Sequence, residues 1–200
     1  MFNTISSRSR QFTTPIPTFL SDKDVITGLY DHNNVLTLQA LIIGHKEVDT
    51  ENYPAALTDP YFFPADRAAA PVKCYEVAEG VIVIPGIGDW GKKFINFPAW
   101  FQDTPDGLHV RADPPGGVMV RAEWRVEHAG SGGGGDGSDT DGVEEQVEFL
   151  LVEDLTVECA SWMMPFVGMT VEGAHRDICW KLVEKLAAEK RAKEHDTLGR

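Results

Sequence analysis

The sequence predicts an α+β domain in which an antiparallel sheet lays one apolar face against a long C-terminal helix. Three observations carry this. In the middle of the chain Leu108, Val110 and Ala112 alternate with His109, Arg111 and Asp113, and Val118, Val120, Ala122, Trp124 and Val126 alternate with Arg121, Glu123, Arg125 and Glu127. Turn sequences such as "TPDG" and "DPPGG" separate these runs, as in a meander with one wet and one apolar face. Finally, the stretch from Phe149 onward changes period. Phe149, Leu151, Leu155, Val157 and Cys159 share one parity, whereas Val167, Val171, Ala174, Ile178, Leu182 and Leu186 step by three or four.

Taken in order, Arg8 to Thr14 reads as a first strand, ended by "TPIPTF" because its prolines remove amide donors. Ser21 or Asp22 then caps one or two short helices, with Val25, Ile26, Leu29 and Tyr30 at helical spacing and "DHNN" as a turn. "LQALIIGHKEV" is a strand. "DTENYPAALTDPYFFPADRAAAP", rich in Pro, Asp and aromatics, is a loop able to pack or to meet a partner. "VKCYEVAEGVIVIPG" and "KKFINFPAWFQ" open the meander, and a last strand runs from about Glu144 to Ala160. "GSGGGGDGSDTDG" (Gly130 to Gly142) is expected to be a flexible, disordered hairpin loop spanning about 129–142. Its formal GxGxxG arises from a glycine run with no helix after it. Asp136, Asp139 and Asp141 lack EF-hand spacing.

Composition narrows the function. With 200 residues, 42% of them hydrophobic, the chain suits one domain over 1–200 with a real core. Its 31 acidic and 18 basic residues give a net charge of −13, which offers nucleic acid no basic field. No apolar run approaches membrane-spanning length, and "MFNTISSRSRQF" lacks the apolar stretch expected of a signal peptide. Cys74, Cys159 and Cys179 form no CxxC pair and read as buried thiols in a reducing compartment, so a cytoplasmic location is expected. The six histidines show no HxxxH or HxH spacing, and no G-x-S-x-G elbow is present. Neither a metal nor another cofactor is expected.

The order strand, short helices, meander, long helix resembles the START-like, or helix-grip, fold of polyketide cyclases and lipid-transfer domains. Three stretches, "SRQFTTPIP", "FQDTPDGLHVRADPPGG" and "VEDLTVECASWMMPFVGMTVEGAHRDICWKLVEKL", are similar to a family of START-like proteins from filamentous fungi. That family has no shared catalytic motif and assigns no residue a role. The resemblance implies a curved antiparallel sheet wrapped around the C-terminal helix, with a cavity between them. Met163, Met164, Phe166, Val167 and Val171, in the greasy "WMMPFVGM" opening of that helix, would then form adaptable cavity walls, where otherwise they are ordinary core.

Within such a cavity Glu153 is the most unusual residue. Alternation places it with Leu151 and Leu155, on the helix side of the sheet. A neutral Glu153 could donate to a substrate carbonyl and an ionised one could act as a base, unless a β-bulge at Glu153-Asp154 turns both outward. His175, at the edge of the helical stripe and otherwise a satisfied boundary histidine, and Tyr75, a phenol donor on a face the pattern leaves open, complete the catalytic candidates. Trp124, on the apolar face of its strand, can stack on a ligand or simply pack in the core. Trp100 and Phe101 present one residue to each face of a strand apolar on both sides, and one of those faces lines the pocket or meets a partner. His109 and Arg111 are expected to face solvent.

Two functions follow. One is a cofactor-free cyclase or isomerase of a hydrophobic polyketide or terpenoid intermediate, for example by a Diels–Alder-type cycloaddition or aldol closure, in which a shaped pocket and one donor suffice. The other is a carrier of a lipid or metabolite with the same lining and no chemistry. A third, an interaction module, would use the aromatics of "DPYFFPADR".

Overall fold

The computed structural model describes residues 4–56, 58–64, 70–82, 92–130 and 147–198. The expected Gly-rich loop lies largely outside these residues. Seven strands form one fully antiparallel sheet in the order β1-β7-β6-β5-β4-β3-β2. They are β1 (Ile5–Ile16), β2 (Ile42–Val48), β3 (Lys73–Ile82), β4 (Lys92–Thr104), β5 (Gly107–Ala112), β6 (Met119–His128) and β7 (Phe149–Ala160). Apart from the β1–β7 pairing, each ladder joins strands next to each other in sequence, which is the predicted meander. β1 runs past the point where its prolines were expected to stop it: Pro15 pairs with Leu150. It can do so because β1 is an edge strand and its outer side needs no amide donor.

Helices α1 (Asp22–Tyr30) and α2 (His32–Leu38) follow β1. Ser21 caps α1 in a capping box: its hydroxyl accepts from the Asp24 amide while the Asp24 carboxylate accepts from the Ser21 amide. "DHNN" is not a free turn. Asp31 both ends α1 and starts α2, which places His32 inside a helix and only 4% exposed.

The C-terminal helical segment is divided. α3 (Met164–His175) and α4 (Ile178–Leu198) are separated at Arg176 and Asp177. The predicted stripe nevertheless holds, with Ala174, Ile178 and Leu182 buried and Val167, Val171 and Leu186 packed against the core. That core joins the inner face of the sheet, through Leu108, Ala122, Leu151 and Leu155, to Val25 and Leu29 of α1, Leu36 of α2 and Leu182 of α4.

The outer face of the sheet is covered too, contrary to expectation. Residues of the Pro-rich loop fold back as two 3₁₀ turns, Thr50–Asn52 and Pro54–Ala56, and a second cluster forms from Ala56, Phe62, Cys74 and Trp100. His109 is therefore only 5% exposed, stacked under Tyr61 at 4.9 Å, rather than in solvent. Arg111 bonds Asp59 at 2.6 Å and Asp113 at 2.7 Å. The "DPYFFPADR" aromatics are consumed by this packing: Phe62 is buried, and the Tyr61 hydroxyl donates to the Ala122 carbonyl at 2.9 Å.

Candidate functional site

Between the inner face of the sheet, the end of α2 and the inward side of α3 lies a cavity of about 360 Å³. Its wall is almost wholly apolar, and its size falls in the lower part of the ligand-pocket range of about 300–1,000 Å³. Trp124, Phe101, Met163, Val167, Val171 and His175 line it.

The remaining candidates stand elsewhere. Phe166 is 70% exposed, because α3 turns positions 166 and 169 outward when it turns 167 and 171 inward. Met164 packs against the core beside Gly168 without lining the cavity. Trp100 points away from it into the outer cluster, since its neighbour Phe101 takes the inner side. Tyr75 is buried but does not line the cavity. Its hydroxyl donates to His32 Nδ1 at 3.0 Å, and His32 Nε2 donates to Asp103 at 2.8 Å. Burial, partly offset by Asp103, holds the His32 pKa below its ordinary value, and burial first pushes the Tyr75 phenol up to about 12. This is a structural tie between α2 and the sheet, not a group aimed at a ligand.

Glu153 keeps the parity read from the sequence. β7 pairs without a bulge on both sides, so Glu153 lies between Trp124 of β6 and Phe12 of β1, 0% exposed. Its carboxyl accepts from His175 Nδ1 at 2.5 Å and from the Cys179 thiol at 3.7 Å. Burial, and then the Glu153 charge, raises the Cys179 pKa, so the thiol stays protonated as a donor. The His175 ring stacks on Trp124, centroids 6.1 Å apart and planes 21° apart. With its Nδ1–H given to Glu153, His175 presents Nε2, which accepts from the Gln39 amide at 3.2 Å. A carboxyl thus orients a cavity-lining histidine from behind while its far nitrogen is held by Gln39, itself a lining residue. An imidazole oriented in this way is a directed base once that nitrogen is released.

A second carboxyl was missed by the sequence reading. Glu79 on β3 lines the cavity, is 8% exposed, and is flanked across the ladders by Ile42 and Ile95. Desolvation raises its pKa from 4.5 to about 7, against the charge of His175, which lowers it. The signal was present: Tyr75, Val77, Glu79 and Val81 share a parity just as Leu151, Glu153 and Leu155 do. Gln39, just beyond the end of α2, left no such pattern. Among the described residues no group of His, Cys, Asp and Glu is placed to hold a metal ion.

Residues 6–188 match the family described as "Domain of unknown function (DUF7053)". The chain belongs to that family. No curated protein matches it in sequence. Among solved structures it is similar to TTHA0849 from Thermus thermophilus, with TM-score 0.50 and 11% identity over 93% of this chain and 99% of that one. Ara h 8.0201 gives TM-score 0.50 and 11% identity over 92% and 99%. The di-domain ARO/CYC StfQ from the steffimycin biosynthetic pathway gives TM-score 0.50 and 10% identity over 95% of this chain and 53% of that one. At such identities the likeness concerns the fold, and the fold is the helix-grip, START-like one: a curved antiparallel sheet with a long C-terminal helix.

Proposed function

We propose that residues 1–200 act as one ligand-binding domain, a cofactor-independent cyclase or isomerase of fungal natural-product biosynthesis. Its substrate is a hydrophobic polyketide or terpenoid intermediate, held between the sheet and the C-terminal helices. The observation that carries this reading is an oriented histidine inside an apolar cavity: His175, backed by Glu153 and stacked on Trp124, facing about 360 Å³ of greasy space. A wall of that kind excludes water and holds a reactive conformer, and one directed base adds what a carrier does not need. The StfQ description, an ARO/CYC in a biosynthetic pathway, supports the reading by fold analogy alone.

A carrier is the second reading, and one observation favours it. The Gln39 amide occupies His175 Nε2, so the histidine is not a free base at rest. The test is comparative metabolite profiling with and without the gene, followed by addition of purified protein to any intermediate that accumulates. Conversion of an uncyclised or unisomerised compound, lost in Glu153→Gln with ligand binding retained, is the expected result. An unchanged product pattern with at most a lower titre would sink the enzyme and leave the carrier.

A further inference from the structure

Glu79 is an expensive residue in this place. Its side chain is more than nine-tenths buried, its cross-strand neighbours are isoleucines, and among the described residues no hydrogen bond satisfies its carboxyl. A leucine or methionine would fill the same volume without the desolvation cost, and an unpaired carboxyl in a cleft beside a second titratable group is the pattern of a functional site. Among the described residues, the only polar neighbours on the cavity wall besides Glu79 and His175 are Gln39, which already serves His175, and the exposed Thr170 and Lys93. The two inward-facing titratable groups have opposite aptitudes. His175 Nε2 can only accept while Glu153 holds Nδ1–H, and an uncharged Glu79 can donate.

We propose that Glu79 is a second catalytic residue of this cavity, the proton donor that works with His175, and that the substrate is an apolar molecule bearing a ketone with an α-hydrogen. The proposal rests on the enzymatic reading above and names its substrate class. In the step, His175 Nε2 takes a proton from the carbon next to the carbonyl. The C–H electron pair becomes a carbon–carbon double bond, the carbonyl π pair moves to oxygen, and that oxygen takes the proton of Glu79. The products are an enol, a Glu79 carboxylate and a His175 imidazolium. On reversal the enol hydroxyl returns its proton to Glu79, and the imidazolium returns one to the same carbon or to the far end of a conjugated system. Atoms and electrons balance without oxidant or reductant. Gln39 must leave Nε2 first, so it acts as a stop that the substrate displaces.

Cyclodecanone, an apolar ketone with α-hydrogens, is a sufficient probe. Purified protein is incubated with it in deuterium oxide, and loss of the α-proton signals is followed by NMR. Saturation-transfer NMR and displacement of anilinonaphthalene sulfonate report binding. The expected result is exchange well above the protein-free rate, reduced about a hundredfold or more in both Glu79→Gln and His175→Gln. Glu79→Gln still binds the ketone, because an amide also donates. Glu79→Leu, which removes a buried carboxyl, should remain folded and bind anilinonaphthalene sulfonate while losing exchange. Binding of cyclodecanone without exchange, or exchange indifferent to Glu79→Gln, overturns the assignment of Glu79 and leaves the cavity reading intact. Binding of anilinonaphthalene sulfonate but not of cyclodecanone overturns the ketone class. Failure of both probes to bind wild-type protein overturns the ligand cavity itself, and with it the function proposed above.

Discussion

Glu153 is fully buried and takes both its donors from His175 and Cys179, and that dictates how the three respond to change. Glu153→Ala leaves the His175 and Cys179 donors without an acceptor, so it should cost about 3–5 kcal/mol, measured by urea unfolding. Tyr75→Phe separates structure from chemistry. The phenol bonds His32 outside the cavity, so the variant should lose about 1–2 kcal/mol of stability while ligand affinity and turnover stay as in wild type. Glu79 makes a pH prediction of unusual sign. Below pH 4.5 both folded and unfolded chains hold its proton; between 4.5 and about 7 the unfolded chain releases it and the folded one keeps it. Stability therefore falls as pH rises through that window, and the loss is complete above it. At about 1.4 kcal/mol per pKa unit the loss is on the order of 3 kcal/mol. Glu79→Gln should flatten this part of the profile and be the more stable protein at pH 8, as thermal melts across pH would show. Glu153 was legible because strand parity is a local property of the chain. Glu79 obeys the same rule, sharing a parity with Tyr75, Val77 and Val81, but Lys73 on that parity and Glu76 on the other leave the inner face of the strand unmarked by charge alone.

Elements show where local reading stops. "WMMPFVGM" offers an apolar residue at nearly every helical position, so its phase cannot be read from its own composition. Contact with the sheet sets the phase: Met163, Val167 and Val171 turn to the cavity, while Trp162, Phe166 and Met169 are 69%, 70% and 64% exposed. Val171→Phe should narrow the cavity and weaken binding of a fluorescent apolar probe. Phe166→Ala should leave binding unchanged and shift stability by no more than about 0.5 kcal/mol. The break at Arg176 and Asp177 also lay beyond periodicity, since the apolar stripe runs through it without a fault. It falls directly after His175, the residue whose ring must meet both Glu153 and Gln39.

At the scale of the whole molecule, the sheet carries two clusters rather than one. Phe62→Ala in the outer cluster should cost about 3–5 kcal/mol by chemical denaturation and leave probe affinity in the cavity untouched, because the sheet itself separates the two sites. Among the described residues no helix is long and apolar enough to cross a membrane. The chain by itself determined the strand order of the meander, the capped first helix, the helical stripe and the inward parity of Glu153, all of which depend on neighbours a few residues apart. Only the tertiary structure decided that His109 and Arg111 lie beneath a returning loop, that Trp100 belongs to the outer face, that Phe166 faces water, and that Gln39, Glu79 and His175 share one cavity. These rest on contacts between residues 40 to 140 positions apart, and no periodicity along a chain encodes which distant segment will cover a given face.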